Sequence, residues 1–202
     1  MARNLFVNQL GRKKTIFSSN EIKHKKRVFL AIPLPEDLIN NLKKLLTTLP
    51  GKKVPPEHWH FTLQFMGEIE NEPLERLNFI LSTLNLGVPF SITLGDFGAF
   101  PDARSAKVLW IGVREGVFEL NALANKITKA LSNEGFEVDT RPYTPHLTLS
   151  RFFPPRKMSD WIKSNPLTKG SFRVKEIVLY ESILSKGQGP AQYVPLTSYC
   201  LR

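Results

Sequence analysis

One pattern occurs at two places in this chain, His60-Phe61-Thr62-Leu63 and His146-Leu147-Thr148-Leu149, 86 residues apart in a sequence of 202 residues with four histidines. In extended backbone, residues i and i+2 share a side, so each copy sets an imidazole beside a hydroxyl and turns its apolar residues the other way. Each copy also closes the same succession of elements. A strand over 28–32, a helix over 36–48 and a motif strand over 59–66 are answered by a strand over 107–113, a helix over 117–132 and a motif strand over 143–152. Two such units related by a pseudo-two-fold axis would bring the motif strands to the centre of one concave surface, with both histidines converging. The expected fold class is therefore α+β: a bilobed domain of two pseudo-symmetric strand-helix-strand lobes, with mainly antiparallel sheets flanking a central cleft.

Local signals support these elements. Pro35-Glu36-Asp37 opens a helix with acids in its first turn, and Leu38, Leu42, Leu45 and Leu46 follow at helical spacing. Asn71 reads as the cap of a helix whose stripe is Leu74, Leu77, Leu81 and Leu84. Leu120, Leu123, Ala124, Ile127 and Leu131 form a third stripe, stopped at Gly135. Further strands are expected over 90–94, 172–181 and 192–201, with a short helix over 158–163.

Charge is unevenly placed. Residues 1–27 carry eight Lys or Arg against one acid, whereas the remaining 175 carry twenty against seventeen, so most of the formal +10 belongs to one end. Residues 1–26 read as a basic, flexible extension, and 27–202 as a single domain. The extension is rich enough in cations to hold RNA electrostatically, or to resemble an organelle presequence, though no clear amphipathic helix runs through it. No apolar run approaches a bilayer-spanning length, so no membrane partner is expected. The lone Cys200 fits a reducing, cytoplasmic setting.

A histidine near its ordinary pKa is a base when neutral and an acid when charged, so a facing pair does both jobs near neutral pH. In-line displacement at phosphorus needs that division of labour, one imidazole on the attacking water and the other on the departing oxygen. Thr62 and Thr148 can donate to the non-bridging phosphate oxygens, and Arg151 can add a charge-assisted contact. This chemistry requires no metal and no cofactor. His58-x-His60 is nevertheless a chelating spacing that His146 could complete for zinc, although no cysteine or carboxylate cluster accompanies it. The phosphate-loop and serine-elbow patterns are absent. Trp59, Phe65, Tyr143 and Phe152 flank the motifs; most should be core, and Phe65 and Tyr143 are the candidates for stacking on a base.

These residues resemble the two-histidine phosphoesterases, and within them the RNA 2′,3′-cyclic phosphodiesterases, historically called 2′-5′ RNA ligases. The likeness runs from Arg27 to the C-terminus through residues 27–35, 59–68, 98–101, 108–110, 141–151, 180–185 and 189–193. It implies a bilobed α+β enzyme that opens the 2′,3′-cyclic phosphate at an RNA end to a 2′-phosphomonoester, with 2′-5′ ligation as the reverse; independently of the resemblance, a monomer is expected. It implies His60 as proton donor, His146 as proton acceptor, and Thr62, Thr148 and Arg151 as phosphate contacts; spacing alone leaves open which histidine is the acid. His58 departs from the pattern, since such proteins often carry a non-ionisable residue there. The competing readings are a phosphodiesterase for another small cyclic phosphate and a non-catalytic RNA-binding module.

Overall fold

The apolar periodicities become nine strands and four α-helices in a computed structural model of the chain, in which residues 25–166, 170–184 and 189–202 are described. In chain order these are β1 (Lys26–Pro33), α1 (Glu36–Leu42), β2 (Lys52–Lys53), β3 (His60–Ile69), α2 (Asn71–Thr83), β4 (Phe90–Phe100), β5 (Ala106–Glu115), α3 (Val117–Asn133), β6 (Leu147–Arg156), α4 (Ser159–Ser164), β7 (Ser171–Val174), β8 (Glu176–Ile183) and β9 (Gln192–Cys200). The basic extension expected over 1–26 lies outside the described residues except for Lys25 and Lys26. Lys26 already belongs to β1, where its ammonium donates to Glu181 at 2.8 Å.

All pairings are antiparallel, in the order β7-β4-β5-β6-β3-β1-β8-β9, with the short β2 also beside β6. The order is symmetric about its middle: the motif strands β6 and β3 are central, β5 and β1 flank them, then β4 and β8, then β7 and β9. This is the bilobed, antiparallel α+β arrangement expected. The halves meet at one registered pair, Phe61 opposite Leu147, both with no exposed surface. Helix side chains Leu38, Leu42, Leu77, Leu81, Leu120, Leu123, Ile127 and Leu131 share one core with Phe61, Leu63, Leu147 and Leu149. The opposite face at the seam is left to the histidines and threonines.

Several boundaries differ from expectation for local reasons. α1 ends at Leu42 and tightens into a 3-10 turn, Lys43–Thr47, where the Thr47 and Thr48 hydroxyls donate to the carbonyls of Lys44 and Leu45. Such side-chain bonds offer the backbone an alternative to the α-helix. Asn71 is not the cap of α2; Glu70 holds that position and Asn71 is the first helical residue. The strand expected over 172–181 breaks at Lys175 into β7 and β8, which join opposite halves of the sheet. The stop of α3 is as expected: Gly135 lies at φ 78°, and Phe136 and Gly135 donate to Leu131 and Ser132 in the manner of a Schellman turn.

Candidate active site

The pair Phe61–Leu147 determines what faces what. With those residues opposed in an antiparallel ladder, His60 lies across from Thr148 and Thr62 across from His146. Phe61 and Leu147 point into the core, so all four polar side chains point to the other face. They line one cleft of about 570 Å³ together with Phe65, Tyr143 and Arg151, so every site residue expected from sequence is brought together. That volume is in the range of small-molecule and nucleotide sites. His146 itself immediately precedes β6, which starts at Leu147 rather than near Tyr143.

A second symmetry lies just beyond each threonine. Along β3, Thr62 pairs with Ala31 and Gln64 with Leu30, leaving Leu63 as an extra residue; along β6, Thr148 pairs with Trp110 and Ser150 with Leu109, leaving Leu149 extra. Both bulges therefore fall on the leucine of the repeated motif. A bulge shifts the alternation by one, which buries Gln64 and Ser150 and returns Phe65 and Arg151 to the cleft face. Gln64 and Ser150 are the buried polar residues of the core, and Gln64 Nε2 and Ser150 Oγ have no hydrogen-bond partner among the described residues. The two returned residues differ in chemistry: Phe65 is 60% exposed and apolar, while Arg151 is an exposed cation.

The two imidazoles are held alike. Nδ1–H of His60 donates to the His58 carbonyl at 2.7 Å, and Nδ1–H of His146 donates to the Thr144 carbonyl at 2.8 Å, two residues upstream in each case. These bonds select the tautomer that leaves Nε2 free for chemistry. The Thr62 hydroxyl donates to His60 Nε2 at 3.0 Å. Aromatic rings confine each imidazole, Phe29 and Tyr193 around His60 at 5.0 and 5.5 Å between centroids, and Phe100 and Trp110 around His146 at 4.9 and 6.2 Å.

Burial pushes the His60 pKa down to about 4, opposed by its bond to the His58 carbonyl and reinforced by the charges of His58, His146 and Arg151. Burial also lowers His146, against its bond to Thr144 and with the Arg151 charge adding to the shift. Burial thus favours the neutral form of each ring, the form that can act as a base. The His58 ring lies against Tyr193, with centroids 4.5 Å apart. Among the described residues no group of three or more His, Cys, Asp or Glu is arranged to hold a metal ion.

Residues 33–184 match the 2′-5′ RNA ligase superfamily. The chain belongs to that superfamily. An RNA 2′,3′-cyclic phosphodiesterase of Archaeoglobus fulgidus is 36% identical over 172 residues, covering 81% of this chain and 94% of that one. Its counterpart in Escherichia coli K12 is 29% identical over 180 residues, covering 87% and 96%. The crystal structure of E. coli LigT complexed with 3′-AMP superposes with a TM-score of 0.73 at 30% identity, over 88% of this chain and 99% of LigT.

In this superfamily member the rings that confine the imidazoles, Phe29, Tyr193, Phe100 and Trp110, belong to no repeated motif. All four lie in stretches that carry the family likeness, which is their one signal in the sequence. Trp59 and Phe152 proved to be core, as expected; the Trp59 indole N–H donates to the Val54 carbonyl. Trp110 lies over Gly98, its partner on β4, so a Cβ at Gly98 would come within 2.2–2.6 Å of three indole carbons. Gly98→Ala therefore displaces Trp110 from beside His146. We expect a stability loss of about 1–3 kcal/mol in urea unfolding, as for overpacking, together with reduced kcat; unchanged values of both would show that the indole relaxes freely.

Proposed function

We propose that this chain is an RNA 2′,3′-cyclic phosphodiesterase that hydrolyses cyclic ends to 2′-phosphomonoesters by acid–base catalysis between His60 and His146. One observation carries the reading. The register at Phe61 and Leu147 crosses the two H-x-T motifs, so two imidazoles of fixed tautomer offer Nε2 to one cleft, each near the other motif's threonine.

In this reaction His146 takes a proton from water as its oxygen bonds to phosphorus, the bond from phosphorus to the 3′ oxygen breaks, and His60 protonates that oxygen. The phosphate stays on the 2′ oxygen. Thr62, Thr148 and Arg151 bind the non-bridging oxygens, Thr62 exchanging its bond to His60 for one to phosphate. Phe65 and Tyr143 flank the nucleoside; the exposed Phe65 ring offers a stacking face. With a 5′ hydroxyl in place of water, the same steps yield a 2′-5′ linkage. No helix of the described residues is long and apolar enough to cross a membrane. The reading has the enzyme acting as a cytoplasmic monomer.

The test is an oligonucleotide ending in a 2′,3′-cyclic phosphate, incubated with a chelator, its product identified by ³¹P NMR. A 2′-phosphomonoester is expected; a 3′-phosphomonoester or no turnover contradicts the proposal, and loss of turnover on chelation restores the zinc alternative.

The pKa shifts give a signed expectation. The active form carries one proton on the pair, and burial disfavours that proton in the free enzyme. An anionic phosphate between the rings favours it and raises the pKa values. The acidic limb and optimum of kcat/KM, which report free enzyme, should therefore lie at lower pH than those of kcat, which report the complex. Coincident profiles, or the reverse order, would contradict this electrostatic account.

A further inference from the structure

Among the described residues, β2 has no counterpart in the other half of the pseudo-symmetric sheet. The linker from α1 to β3 pairs with β6, Lys52 opposite Arg151 and Lys53 opposite Ser150. The corresponding linker from α3 to β6 forms no strand against β3. Antiparallel partners share a face, so the exposed Lys52 stands on the same sheet face as Arg151, at the margin of the cleft that Arg151 and Val54 line, with Cβ atoms about 5 Å apart for residues directly opposed. Like charges in that position are destabilising. Among the described residues neither cation has a carboxylate partner.

The backbone here is built closely. Gly51 lies at φ 79°, and a Cβ on it would come within 2.5 Å of the Phe152 ring and 2.9 Å of the Arg151 carbonyl. Only glycine fits so close to β6 at this position, and Lys52 follows it directly in the ladder. The neighbouring Lys53 uses its ammonium on the Leu46 carbonyl, where it ties the linker to the end of the helical turn. Arg141, the other arginine of the cleft, is bound by Asp139, whose carboxyl it lowers to about 2. Uncompensated positive charge is thus gathered at the Arg151 end, while the equivalent position in the other half carries the apolar Phe65.

We propose that Lys52 forms a second phosphate subsite, taking the phosphodiester that joins the terminal nucleotide to the rest of the RNA strand while Arg151 serves the reacting phosphate. This rests on the phosphodiesterase reading above. The terminal nucleoside extends toward Phe65 and the strand continues past Lys52. The enzyme consequently favours cyclic ends of oligonucleotides over free nucleoside cyclic phosphates.

The test compares wild type, Lys52→Gln and Lys52→Arg on two substrates, a nucleoside 2′,3′-cyclic phosphate with a free 5′ hydroxyl and an oligonucleotide ending in the same nucleoside cyclic phosphate. Lys52→Gln should lower kcat/KM about tenfold on the oligonucleotide, the scale of one charge-assisted contact, and leave the nucleoside substrate unchanged. Lys52→Arg should retain most of the activity. The slope of log kcat/KM against log salt on the oligonucleotide should also flatten by about 0.7 in Lys52→Gln, the share of one phosphate contact in a single strand. An equal loss on both substrates, no loss on either, or a wild type without preference for the oligonucleotide overturns the subsite. Wild type that turns over neither substrate instead refutes the phosphodiesterase reading itself.

Discussion

His60→Ala and His146→Ala each lower kcat on an RNA 2′,3′-cyclic end by about 10²–10⁴-fold, the usual scale for removal of a positioned general acid or base. The double variant falls by much less than the product of the two losses, because the histidines act on one transition state as a unit. Both expectations follow from geometry: each ring is fixed through Nδ1 and presents Nε2 to the same cleft. Affinity for a product oligonucleotide should change far less than kcat, since Thr62, Thr148 and Arg151 remain. A non-catalytic RNA-binding module would show the opposite: no turnover in wild type and unchanged affinity in the variants. A single-histidine variant that retains the wild-type rate would remove that residue from the chemistry.

Phe61→Ala should cost about 3–5 kcal/mol, the range for truncating a buried phenylalanine, out of a total stability of roughly 5–15 kcal/mol for a domain of ordinary size. Phe61 has no exposed surface, packs near Phe172 with ring centroids 6.5 Å apart, and supplies half of the registered pair between the two lobes. Its removal leaves a cavity at the seam that sets His60 across from Thr148. Urea unfolding measures the loss through the midpoint and slope. A changed slope would indicate that the lobes unfold separately once the seam is weakened. Where the variant remains folded, kcat should fall as well, because the register of the motifs loses a determinant. A loss under about 1 kcal/mol would place the coupling of the lobes elsewhere.

Much of this was legible in the sequence because it is local or periodic. The repeated H-x-T frame, the stripes of α2 and α3, and Gly135 as a helix stop each depend on residues a few positions apart. The duplication of strand, helix and motif strand was equally visible, and it placed the two motif strands at the centre, where the sheet has β6 and β3. What escaped depends on partners distant in sequence. Leu63 and Leu149 become bulges only because β1 and β5 pair on either side of them, and without those bulges Phe65 and Arg151 would face the core side. β2 is two residues long, below any periodic signal, and exists because β6 offers an edge to Lys52 and Lys53. The hydroxyls of Thr47 and Thr48 shortened α1, and Glu70 took the position where Asn71 was expected to cap α2.

The central claim is that the two histidines divide acid from base, and leaving-group dependence tests that division most directly. In a nucleoside 2′-(4-nitrophenyl phosphate), water bonds to phosphorus as the bond to the nitrophenyl oxygen breaks, and 4-nitrophenolate departs without needing a proton. On that substrate His60→Ala should retain a rate near wild type, because its acid is no longer required, whereas His146→Ala should stay impaired for want of the base. Rescue of His146→Ala instead would reverse the assignment, and equal impairment of both variants would contradict an acid–base pair.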